Sequence, residues 1–144
     1  MEMCMEIRFE DPQTDDFDPE LYVKILIAIA KADPNNGRPE FAFICRQALA
    51  LEVDFVHWAK RIDKSFAIEA TQVSRATALA VLRDCILLAS MDTNFTLAEK
   101  ERVFTYAAKL DVPRSDLDRL ELWVADCREL ESRWKALVHS GAAS

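Results

Sequence analysis

The chain has 144 residues, 51% of them hydrophobic, with only two glycines and five prolines. That is enough apolar material for one buried core, and too few turn residues for an all-β fold or a glycine-rich phosphate loop. The formal charge of −7 sits in residues 1–20, where eight acids accompany one base, Arg8; the other 17 acids and 17 bases cancel. A neutral body behind an acidic arm has no cationic surface with which to displace counterions from phosphates, which speaks against nucleic acid.

The arm comes first. Met3 to Glu10 alternates Met5, Ile7 and Phe9 with Glu6, Arg8 and Glu10, a strand period with no partner strand in the rest of the chain. An extended arm and acidic linker over 1–17 are expected, ahead of a single helical domain at 18–138 and a fraying tail at 139–144. The opening Met-Glu-Met-Cys-Met-Glu has neither a basic stretch nor an apolar run, so no signal peptide is expected. Asp18-Pro19-Glu20 then starts a helix: a capping carboxylate, proline at the first helical position and an acid in the first turn. Leu21–Ala32 is apolar on nearly every side, which marks a buried helix. Asp33-Pro-Asn-Asn-Gly37 breaks it. Pro39-Glu40 opens the next, with Phe41, Ile44, Cys45, Ala48 and Leu51 on one side.

Asp54 is expected to cap a short helix bearing Phe55, Val56, Trp58 and Ile62, and one or two helical turns should bridge residues 63–73. Ser74 caps a second long buried helix, Arg75–Met91. The loop Asp92-Thr-Asn94-Phe-Thr96 leads to the helix Leu97–Leu110, and Ser115 caps the last one, about 116–138. Its Leu120, Trp123, Cys127, Leu130, Trp134 and Leu137 alternate three and four apart. Such a stripe suits a coiled-coil seam or a helix laid across its own bundle, and the small number of heptads favours the second. Lys24, Lys31, Arg83 and Asp84 interrupt the apolar runs too early for a bilayer span, so no membrane insertion and a cytoplasmic location are expected. Cys4, Cys45, Cys85 and Cys127 form no C-x-x-C. Buried free thiols in a reducing compartment are weighed above zinc or disulfide roles.

One offset organises the body. A shift of 59 positions places Ile27 on Ile86, Ala30 on Ala89, Asp33 on Asp92, Asn35 on Asn94 and Glu40 on Glu99. It also places Ala48 on Ala107, Leu51 on Leu110 and Val53 on Val112, with no gap. An internal repeat of this length implies one helix-loop-helix unit used twice, its copies packing about a pseudo-twofold to close a common core. The expectation is an all-α bundle of about seven helices, with 21–53 superposing on 80–112.

At the two loops the segments Ala32-Asp33-x6-Glu40 and Met91-Asp92-x6-Glu99 each join an apolar helix to an amphipathic one. This resembles the TerB-like fold of tellurite-resistance proteins and of the N-terminal domain of a DnaJ-like co-chaperone, whose signature is Ala-Asp-Gly-x-Ile-x-x-x-Glu used twice. The likeness covers about residues 20–135. Pro34 and Thr93 stand where that family has glycine, and Asn36 and Phe95 stand at the following apolar position. The resemblance implies a helical domain without a catalytic reaction, linked to stress or tellurite resistance, metal-linked surfaces and protein complexes.

The loops themselves offer oxygen donors. Asp33, Asn35 and Glu40, with Asp92, Asn94 and Glu99 (and Thr96), could hold a hard divalent cation such as calcium or magnesium if the loops converge. Asp92-x-Asn94-x-Thr96 copies the first positions of an EF-hand loop, then departs from it, with Val103 where the bidentate glutamate belongs. Capping explains the glutamates without a metal. Thr96-Leu-Ala-Glu99 is a capping box and Gly37-Arg-Pro-Glu40 a weaker one, leaving Asp33 and Asp92 to brace the loops. His57 beside Trp58 reads as a surface or half-buried histidine, and Trp123 and Trp134 as core or interface anchors. No catalytic residue and no bound cofactor are expected. The leading reading is a non-enzymatic protein-interaction domain. A divalent-metal module is the alternative, and a metal-dependent hydrolase, lacking a nucleophile or substrate motif, the third.

Overall fold

A computed structural model describes residues 16–33, 38–68, 72–89 and 97–143. Within them the chain is all-helical: α1 (Pro19–Ala32), α2 (Arg38–Ala50), α3 (Phe55–Arg61), α4 (Arg75–Ala89), α5 (Leu97–Lys109) and α6 (Arg114–Ala143), with no strand among the described residues. The segment expected to form bridging helical turns carries a tight turn, in which the Phe66 N–H donates to the Asp63 carbonyl at 3.1 Å. The strand-like arm Met3–Glu10 and the tips of both acidic loops lie outside the described residues.

Local chemistry sets the helix starts. Asp18 Oδ1 accepts the Leu21 N–H at 3.1 Å and Pro19 occupies the first turn of α1, with Glu20 behind it. Asp54 Oδ1 accepts the His57 N–H at 3.1 Å to open α3, and Ser74 Oγ accepts the Thr77 N–H at 3.2 Å to open α4. Each satisfies an amide that the first turn would otherwise leave orphaned.

The core forms around α1 and α4. Helix α1 packs against α2, α3 and α4, which accounts for its apolar residues on every side; Tyr22, Val23, Ile25 and Ile27 are wholly buried. Helix α4 packs against α1, α5 and α6 and buries Thr77, Ala78, Ala80, Val81, Leu82 and Ile86. The starts of the two helices are tied together, because the buried Thr77 Oγ1 accepts the Asp18 N–H at 2.9 Å. On the far side of α1 the Lys31 ammonium donates to the Ala59 carbonyl and to that of Ile62, at 2.7 Å for the latter. A cation there answers the negative end of the α3 dipole.

Helices α2 and α5 are each 13 residues long and end in the same way. After α2, the Leu51 N–H donates to the Gln47 carbonyl at 3.0 Å and the Val53 N–H to that of Ala48 at 2.8 Å, with Glu52 at φ 61° between them. After α5, Leu110 donates to Tyr106 at 2.9 Å and Val112 to Ala107 at 2.9 Å, around Asp111 at φ 60°. These are left-handed Schellman closures, built on acidic residues where glycine is usual.

Helix α6 departs from the sequence reading in three ways. It begins at Arg114, so Ser115 lies within its first turn and does not cap it. It runs 30 residues, through Ala143, or roughly 45 Å at 1.5 Å per residue. Most important, the stripe through Leu130, Trp134 and Leu137 does not face the body. Leu117 and Val124 are the buried positions, and beyond Val124 no described residue of α6 is buried. Leu130, Trp134, Leu137 and Val138 are 47%, 55%, 68% and 50% exposed. At 100° per residue these side chains centre roughly a quarter turn away from the face that packs on α4 and α5. The cysteines also differ from expectation: Cys45 is exposed, and Cys85 and Cys127 are half-buried.

Candidate functional site

Three places could carry chemistry or recognition. The first is the set of loop carboxylates. Asp33 ends α1, and its Oδ2 pairs with the Arg102 guanidinium of α5 at 3.1 Å, with the Asp33 side chain only 13% exposed. Glu40 and Glu99 stand half-buried in the first turns of α2 and α5. Asn35, Asp92, Asn94 and Thr96 lie outside the described residues. Among the described residues no group of three or more His, Cys, Asp and Glu side chains is placed to hold a metal ion. Arg102 thus performs at Asp33 the neutralisation that a cation would otherwise provide. Beside this pair, burial pushes the Cys85 thiol up to about 12, with the Asp84 charge adding to the effect. Burial also raises the Tyr106 phenol, against the opposing pull of Arg102.

The second is a polar cluster inside the core, which sequence reasoning missed. The Tyr22 hydroxyl of α1 donates to Asp84 Oδ2 of α4, and Gln47 Nε2 of α2 donates to the Tyr22 oxygen at 3.0 Å. Arg83 grips the same carboxylate with two bonds, Nε to Oδ1 and Nη2 to Oδ2, both 2.9 Å. Tyr22 and Asp84 are 0% and 1% exposed and Arg83 8%. Burial, then the Asp84 charge and hydrogen bond, hold the Tyr22 phenol well above its ordinary range; Gln47 and Arg83 pull the other way. No substrate atom reaches groups sealed to this degree, so the cluster pins α1, α2 and α4 in one arrangement. A signal existed: two adjacent charges in the middle of an otherwise apolar helix, whose burial demands a partner elsewhere.

The third is the far half of α6, where Leu130, Trp134, Leu137 and Val138 form an exposed apolar strip. Lone exposed apolar residues such as Leu49 or Val56 mean little, whereas a run on one helix face is a candidate contact surface. His57 remains a local feature: half-buried, its Nδ1 lies 3.1 Å from Arg61 Nη1 and its ring stands edge-on to Trp58, over which Lys24 Nζ sits at 4.0 Å.

No family model, curated protein or solved structure matches this chain. No described helix is long and apolar enough to cross a membrane.

Proposed function

We propose that the chain is a non-catalytic, TerB-like helical domain that works by binding protein through the extension of α6. The observation that carries this reading is the exposed strip Leu130, Trp134, Leu137 and Val138, on a helix whose buried contacts end at Val124.

The reading includes a duplicated unit, and the helix bounds support it. Helices α2 and α5 start and end 59 residues apart, as do their closing turns at Glu52 and Asp111, and α3 and α6 start 59 apart. The hydrogen bond from Asp18 to Thr77 joins residues also separated by 59, the kind of contact a twofold axis would run through. Helix α3 has seven residues and α6 thirty. On the duplication reading, the stretch of α6 beyond residue 120 has no counterpart in the first unit, and past Val124 it adds no buried residue to the core. An addition that a fold does not need, and that bears large apolar side chains, is best explained by a partner.

The test compares the native chain with Leu130→Glu and Trp134→Glu. Both positions are half-exposed, so circular dichroism and melting should match the native chain, while capture of bound protein should fall by an order of magnitude or more. Undiminished capture by both variants would place the binding surface elsewhere and end this reading.

A further inference from the structure

We draw no further inference here: the strongest candidate, the exposed apolar strip Leu130, Trp134, Leu137 and Val138 on the far half of α6, belongs to the site already described, and nothing in the structure shows what covers it.

Discussion

At the scale of single residues, the most consequential choice is the placement of Arg83 and Asp84 inside the core. Two buried charges are tolerated when they are paired and hydrogen-bonded, and here Asp84 takes the Tyr22 hydroxyl and two bonds from Arg83, while Gln47 of α2 donates to the Tyr22 oxygen. Arg83→Met strands the Asp84 carboxylate and should cost about 3–5 kcal/mol in urea unfolding. Tyr22→Phe removes one hydrogen bond to a charged group and should cost about 1.5–3 kcal/mol. The reverse ranking would mean that the ion pair is not what holds this cluster. Alkaline pH provides an independent check. Tyr22 keeps its proton in the fold to higher pH than in the unfolded chain, so the folded state binds more protons as the unfolded tyrosine ionises. Its contribution is complete below the ordinary tyrosine range and is lost as pH rises through and beyond it. Tyr22→Phe should make that decline shallower, leaving the part due to the other groups raised in the fold, Cys85, Cys127 and Tyr106. Asp33 makes a milder case. Asp33→Asn should lose about 1 kcal/mol, less in high salt, and calcium or magnesium should not raise the melting temperature of either form. A cation-dependent rise abolished in the variant would restore the metal reading of the loops.

At the scale of elements, the sequence was most legible where structure depends on neighbours along the chain, with Ser115, which does not cap α6, as an exception. Asp18-Pro19-Glu20, Asp54 and Ser74 announced helix starts because a capping oxygen reaches an amide only three residues away. The all-round apolar character of α1 and α4 announced their burial. Contacts distant in sequence were not legible. Nothing local to Tyr22 names Asp84, 62 residues on, and nothing local to Asp33 names Arg102. The face of α6 was misread for a related reason. Its apolar arc is wide enough to include both Leu117–Val124 and Leu130–Leu137, and a pattern of threes and fours cannot say how much of an arc the body covers. The closing turns of α2 and α5 offer a prediction at this scale. Glu52 and Asp111 sit in the left-handed region, which costs a non-glycine residue about 1 kcal/mol or more. Glu52→Gly and Asp111→Gly should each stabilise the fold by roughly 0.5–1 kcal/mol. Aspartate tolerates this conformation better, so the gain at Glu52 should be the larger, and the two should add if the closing turns act independently. Loss of stability at either position would mean that its side chain contributes more than its backbone costs.

At the scale of the whole molecule, the bundle and the end of α6 answer to different requirements. A helical domain of about a hundred residues has a radius of gyration near 13 Å, so a helix of roughly 45 Å outruns the core it helps to close. The first part of α6, with Leu117 and Val124 buried and Asp116 held by Arg75 at 2.8 Å, belongs to the fold. The part beyond residue 132 is exposed at every described side chain and adds no buried side chain to the bundle. Ending the chain after Ser132 should therefore leave the melting temperature in dilute solution nearly unchanged, since removal of exposed residues seldom moves stability by more than about 0.5 kcal/mol. A drop of several degrees for the shortened form in dilute solution would show that the end of α6 braces its own bundle.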